Sequence, residues 1–350
     1  MKDPIFRRDE FTLCDVPVPK GYPQSQTHSG VAIYDGFFFL TTSPYPARRY
    51  KRSVALLRII LNKISFGFLC KPLNGEAFEN PCLYVGVKDA HDNSDIPVHF
   101  IPMTDNPLMD TPERYNNLPA FNSDPDIFLE HGMCYILNRS VFRTKLLEKG
   151  YESLTKIYLI SGEIKNGKYR MYSNRLIKEW NKPYASPCLT KYQGEYIFMY
   201  IDTNSAIDAE TFNGIYMQRT SKLSEISNAN ESKKIKVNCE HLLPWHMSVF
   251  HYSGVLYSII ACVIKGDQTK KIWQMIGVFN RDLSELTILP KPLTDYNSYR
   301  GSACVNDGGL FILYSTTVME QIPGSKAVDG RNVIMASMPF SEVLRKERSV

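Results

Sequence analysis

Asn122-Ser123-Asp124-Pro125-Asp126-Ile127-Phe128-Leu129-Glu130-His131-Gly132-Met133-Cys134-Tyr135-Ile136-Leu137 decides the reading of this chain. A polar group leads into a short apolar strand, a Gly-centred turn and a second apolar or aromatic strand. The same grammar returns four times. It runs from Thr27-His28-Ser29-Gly30 through Gly36 to Leu40, and from Tyr184-Ala185-Ser186-Pro187 through Gly194 to Met199. It recurs from Trp245-His246-Met247-Ser248 through Gly254 to Ser258, and from Tyr299-Arg300-Gly301-Ser302 through Gly308 to Ile312.

One such hairpin cannot bury its own apolar face, so five of them, spaced by roughly 50 to 100 residues, imply a repeat architecture. The expected fold is all-β, a five-bladed β-propeller, with four-stranded sheets set radially around a channel. It is expected as a single domain over residues 1–350, with a lead-in over 1–20 and blades starting near 28, 124, 185, 246 and 300. The residue before each inner strand then points into one shared pocket. In chain order these residues are His28, Asp124, the Ala185-Ser186 pair, His246 and Arg300.

The composition suits this plan. Of 350 residues, 43% are hydrophobic, enough for one large β domain, and no Pro/Gly/Ser-rich linker interrupts the repeats. The formal charge of +5 permits an anionic partner without demanding one, and no nucleic-acid partner is expected. Three of the eight cysteines, Cys82, Cys188 and Cys304, occupy matching strand positions, which marks them as small packing residues rather than a disulfide framework. No Cys-x-x-Cys pair is present, so no zinc site of that kind is expected. With no apolar signal core at Met1–Arg8, the expected location is cytoplasmic.

Between the hairpins the reading is coarser. The basic run Arg48–Arg52 leads into an apolar stretch, residues 53–64, broken by Arg58 and Lys63. Those charges exclude a membrane span and predict a short amphipathic helix inserted in the first blade. A Pro-rich crossing from Ile96 to Pro119 is expected to be a rim loop, and Ser224 to Lys236 an exposed loop. Leu176 to Trp180 is expected to form one helical turn, and Phe340 to Val350 a short basic helix or tail.

Asp124-Pro125-Asp126-Ile127-Phe128, Ser186-Pro187-Cys188-Leu189-Thr190-Lys191 and the hairpins that follow them resemble the five-bladed propeller glycosidases of glycoside hydrolase family 43 and its relatives. The resemblance covers nearly the whole chain as a repeat plan and a few residues per blade. It implies three acidic groups from blades one to three, acting as general base, orienting acid and general acid. Only the blade-two acid is present, as Asp124. His28 stands at the blade-one position, and Ala185 or Ser186 at that of the general acid.

A histidine can act as a base near neutral pH, but Ala cannot donate a proton. Glu240, His241, Asp202 and Asp208 lie in segments able to reach the same rim. The expected function is therefore a carbohydrate-active glycoside hydrolase of non-standard machinery. His28 and Asp124 are its catalytic candidates, while Asp126, Ser186, Trp245, His246, Tyr299 and Arg300 hold an oligosaccharide or polysaccharide, Arg300 through an anionic group. No cofactor and no metal ligand set is expected; a single cation in the channel, held by water and one acid, stays open. The alternatives are a propeller that binds glycan without cleaving it, motivated by Ala185, and a protein-interaction propeller using the basic run near Arg48. His91, His99, His131, His241 and His251 show no paired spacing and are expected in loops or at hairpin tips.

Overall fold

The computed structural model describes residues 3–22, 25–45, 57, 60, 61, 64, 79–87, 96–115, 118–147, 151–203, 212–227, 231–239, 241–269, 271–317, 320, 322, 324–325 and 330–349. After a short strand β1 (Thr12–Leu13), a first sheet is built in chain order from β2 (Gln26–Tyr34), β3 (Phe37–Pro44), β4 (Cys82–Val87) and β5 (His99–Pro102). A second follows the same plan with β6 (Ala120–Glu130), β7 (Met133–Leu146), β8 (Tyr151–Lys165) and β9 (Lys168–Trp180).

The next eight strands share one sheet. β10 (Tyr184–Tyr192), β11 (Glu195–Thr203), β12 (Phe212–Thr220) and β13 (Lys233–Asn238) form one antiparallel run. β14 (Leu242–Tyr252), β15 (Val255–Ile264), β16 (Trp273–Phe279) and β17 (Glu285–Pro292) form another, and the two runs meet where β13 pairs parallel with β17. The last sheet contains β18 (Ser298–Asn306), β19 (Gly309–Thr316) and β20 (Val333–Pro339), and its outer position is filled by β1 from the other end of the chain. Helix α1 (Phe340–Arg348) follows.

Five antiparallel hairpins, β2/β3, β6/β7, β10/β11, β14/β15 and β18/β19, carry the repeat seen in the sequence. Each turns on a residue and a glycine that both have positive φ: Asp35-Gly36, His131-Gly132, Gln193-Gly194, Ser253-Gly254 and Asp307-Gly308. That pair of left-handed residues makes the turn twist with the strands, which explains a glycine at the second position every time. The first strands of the hairpins contact one another in a closed ring, β2 to β6 to β10 to β14 to β18 and back to β2.

The apolar core lies between neighbouring sheets. Phe39, Leu83, Ile127 and Ile136 join the first to the second; Leu137, Ile157, Leu189 and Phe198 join the second to the next run. Tyr84, Leu40, Leu313 and Met335 join the last sheet back to the first. A sheet buried on both faces needs apolar residues along its whole length, and β15 shows this as the unbroken run 259–264. Cys82, Cys134, Cys188, Cys262 and Cys304 are buried in these cores with free thiols, and all seven described cysteines are free.

Several local expectations are corrected. Leu176 to Trp180 is not helical; it is the end of β9, where pairing with β8 overrides local helix preference. The loop expected over Ser224 to Lys236 keeps only its first part, a short 3₁₀ turn at Leu223–Glu225, because residues from Lys233 onward extend β12 outward as β13. The crossing from Ile96 contains the edge strand β5. The lead-in packs by inserting Ile5 and Phe6 into the core shared by β15, β16 and α1, and by adding β1 to the last sheet. The basic run at residues 48–52 lies outside the described residues; of the expected helix, Leu57, Ile60, Leu61 and Ile64 are described and are helical. Among the described residues no helix is long and apolar enough to cross a membrane.

Candidate functional site

The five inner strands share a device that the sequence shows only as a polar dipeptide. Each carries a bulge at the same end: between Thr27 and Gly30 in β2, Ser123 and Asp126 in β6, Ala185 and Cys188 in β10, Pro244 and His246 in β14, and Ser298 and Gly301 in β18. A bulge leaves residues unpaired and re-aims their side chains. In the first three strands the re-aimed residue is His28, Asp124 or Ser186, with φ of 54°, 50° and 49°. The left-handed region is costly for residues with a Cβ, so three in equivalent places mark a constraint imposed by the site.

Asp124 is fully buried and stands at the centre of the cluster. Its Oδ1 lies 2.7 Å from His28 Nδ1 and 3.5 Å from His246 Nδ1. Its Oδ2 lies 3.1 Å from Arg139 Nε and accepts a hydrogen bond of 3.1 Å from the Ser186 backbone N–H. Burial by itself pushes the carboxyl up, but the charges of Arg139, His246 and His28 outweigh it and hold Asp124 well below the usual carboxylate range. Burial pushes His246 well below the usual imidazole range against the pull of Asp124. The far nitrogen of His28, Nε2, lies 3.1 Å from Glu79 Oε2 and 3.2 Å from Ser123 Oγ, while Ser186 Oγ is 2.8 Å from His246 Nδ1.

Aromatic rings cover one side of this cluster. The Tyr299 ring centre is 4.9 Å from that of His28, 5.0 Å from that of His246 and 5.5 Å from that of Trp245. The Arg331 guanidinium lies 4.1 Å from the Tyr299 ring and 3.9 Å from the Tyr45 ring, held between them. Tyr45, Trp245, Tyr299 and Arg331 are each partly exposed, whereas His28, Asp124 and His246 are buried beneath them.

The structure thus brings together His28, Asp124, Ser186, Trp245, His246 and Tyr299. Asp126 and Arg300 pair with each other beside this cluster. Arg300 is fully buried and donates to Pro125 O at 2.7 Å and to Asp126 Oδ1 at 3.3 Å. Asp126 Oδ2 accepts from the Leu189 backbone N–H at 3.2 Å, and burial pushes its carboxyl up to about 6 even with Arg300 beside it. Of the acids considered for proton donation, Asp202 is buried and accepts from Asn213 Nδ2, while Glu240 and Asp208 lie outside the described residues.

Sequence reading missed Glu79, Arg139 and Arg331. Arg139 had a signal: a cation in the middle of a strand, between the apolar runs 135–137 and 141–142, has to be paired if it is buried. Glu79 and Arg331 carried none, because each lies outside an inner strand and reaches the cluster only through the way the sheets close.

No protein-family model matches the chain, and no curated protein matches it. Solved structures do. An N-acetylgalactosamine deacetylase from F. plautii, solved with blood group B trisaccharide, shares 15% identity over 96% of each chain with a TM-score of 0.59. A GH43 β-xylosidase/α-arabinofuranosidase from a compost microbial metagenome, in complex with xylotriose, shares 13% over 91% of this chain and 93% of its own, TM-score 0.57. A GH43_1 enzyme from Xanthomonas citri, also with xylotriose, shares 11% over 91% and 89%, TM-score 0.55. The chain therefore has the propeller fold of these carbohydrate-active enzymes; at such identity the likeness extends to the fold alone.

Proposed function

We propose that this chain is a single-domain, five-bladed propeller hydrolase that removes an acyl group from a carbohydrate held over His28, Asp124 and His246. The ring of five inner strands supports the blade count, with the eight-stranded sheet counted as two blades joined at β13/β17. One observation carries the choice of bond. Cleaving a glycosidic bond with inversion needs two carboxyls roughly 6.5–9.5 Å apart with water between them. Here the carboxyls of Asp124 and Glu79 lie on opposite nitrogens of His28, so the imidazole fills the place where that water would stand. The third blade offers Ala185 and Ser186 in place of a proton donor.

Acyl hydrolysis does not need a carboxyl on each side of a sugar ring. Water oriented by the cluster adds to the acyl carbon, the bond from that carbon to nitrogen or oxygen breaks, and the proton released by the water goes to the departing amine or hydroxyl. Tyr299 and Trp245 offer faces for the sugar. Arg331, which has no carboxylate partner among the described residues, is the cation for an anionic substituent, the part first assigned to Arg300. Arg300 and Asp126 brace the inner strands. The F. plautii deacetylase on the same fold is consistent with this reading.

The test is a panel of acetylated amino sugars, O-acetylated glycans and nitrophenyl glycosides. Release of acetate without release of nitrophenol is expected, and its loss in His246→Gln. Nitrophenol release without acetate would restore glycosidic cleavage, for which Glu79 is the second carboxyl. Binding without either product would mark the chain as a lectin-like propeller.

A further inference from the structure

His28, Asp124 and His246 each present one donor atom, all within 4.8 Å of one another and all buried. Two features of this cluster remain unexplained if it is only a hydrogen-bond network. His28 Nδ1 and Asp124 Oδ1 are 2.7 Å apart, and Nδ1 is buried without a well-aligned hydrogen bond. His246 Nε2 is likewise buried without a partner. Buried ring nitrogens left without well-aligned partners around a buried carboxylate call for a shared cation.

We infer that this cluster is a binding site for one divalent transition-metal ion of the zinc type, with His28, Asp124 and His246 as its three protein ligands. Ligands at 2.0–2.2 Å from a tetrahedral ion stand about 3.2–3.6 Å from one another, and the observed separations of 2.7 and 3.5 Å approach that with little movement. Two imidazoles and one carboxylate suit zinc, cobalt or manganese; calcium and magnesium prefer sites made of oxygen. Three protein ligands leave a position for water, as in metal sites that do chemistry.

The surroundings have the form such sites take. A ligating histidine usually donates its other ring N–H to a carboxylate, and His28 Nε2 faces Glu79 Oε2 at 3.1 Å. The second oxygen of Asp124 is held by Arg139 and the Ser186 N–H, which leaves Oδ1 for the ion. Ser186 Oγ, 2.8 Å from His246 Nδ1, gives up that contact when the nitrogen turns to the ion. The bulges help three separate strands reach one point: those of β2 and β6 turn His28 and Asp124 out of the pleat, and that of β14 ends at His246, which stays paired with Ala261. The inference deepens the proposed hydrolytic reading, since a bound ion would supply a polarised water at the same site, but it is tested without turnover.

The full-length protein is treated with chelator, dialysed, and titrated separately with zinc, cobalt and calcium chlorides. One zinc per chain by elemental analysis is expected, with visible absorption from bound cobalt, a raised melting temperature with zinc, and none of these with calcium. His28→Gln and His246→Gln should each weaken zinc binding more than 100-fold while keeping the far-ultraviolet circular dichroism of the parent. Glu79→Gln should weaken it by roughly 10- to 100-fold. The unmodified protein alone is decisive if a variant fails to fold: no stoichiometric zinc and no cobalt spectrum overturns the inference. Unchanged binding in both folded histidine variants overturns it as well. Metal bound without any acyl hydrolysis would refute the proposed function alone, and hydrolysis by a protein that takes up no zinc would refute the metal site alone.

Discussion

Replacing Arg300 with methionine tests how the inner strands are held around their axis. The guanidinium is fully buried and its donors reach Pro125 O, Asp126 Oδ1 and, at 3.4 Å, Met247 O, so one side chain from β18 joins β6 and β14. Methionine keeps most of the volume and removes the charge. Asp126 then retains only backbone N–H partners, Leu189 at 3.2 Å and Ile127, and a buried carboxylate is left without its cation. Breaking one partner of a buried pair costs about 3–5 kcal/mol. Asn at position 126 in the same background removes the stranded charge and should recover about 2 kcal/mol of that, so the two changes together cost less than their sum. The cost should also depend on pH. Asp126 titrates near 6 with Arg300 present, and loss of the cation moves it higher, so Arg300→Met should lose less stability at pH 5, where the carboxyl is protonated, than at pH 8. Denaturant unfolding followed by circular dichroism at both pH values measures all four proteins. A loss below about 1 kcal/mol at pH 8, or strict additivity with Asp126→Asn, would refute the brace.

Asp126 itself predicts a slope in the parent protein. Its folded pKa of about 6 lies above its ordinary value of 3.8, so the folded state holds a proton that the unfolded chain releases. The associated stability is fully present below pH 4 and is lost as pH rises through 6, about 2–3 kcal/mol in all, and Asp126→Asn should abolish that slope in chelator-treated protein. Phe6→Ala should cost about 3–5 kcal/mol, because this fully buried ring ties the lead-in to the core of β15, β16 and α1; a change under 1 kcal/mol in denaturant would show that the lead-in is dispensable. Gly194→Ala meets no atom within 4 Å but sits at φ +84°, so it should cost about 1 kcal/mol through the backbone alone. Burial pushes the Cys14 and Cys82 thiols up to about 12, so both should resist a thiol reagent until the protein unfolds, and fast labelling of the native state would contradict their packing.

Much of the architecture was legible because its signals are local. A left-handed pair ending in glycine makes the turn of each inner hairpin, and apolar runs on either side make its strands; neither depends on distant partners. The same grammar aligned His28, Asp124, Ser186 and His246, since each stands at the equivalent bulge of its strand. Where the signals were weak, the reading failed in a consistent direction: Lys233–Asn238 and Leu176–Trp180 lack strong strand preference and became strands through pairing with neighbours already in place.

From its sequence alone the chain determined that it would fold into repeated β hairpins, and which residue of each would stand at the inner end. Closure into a ring decided the rest. Only then did Glu79 and Arg139 come to bracket the His28–Asp124 pair, Arg331 come to lie between Tyr45 and Tyr299, and Arg300 come to face Asp126 rather than Asp124. These contacts join residues far apart in sequence across a few ångströms, and their energies depend on burial and mutual orientation. Such quantities exist only once the sheets have packed around a common axis.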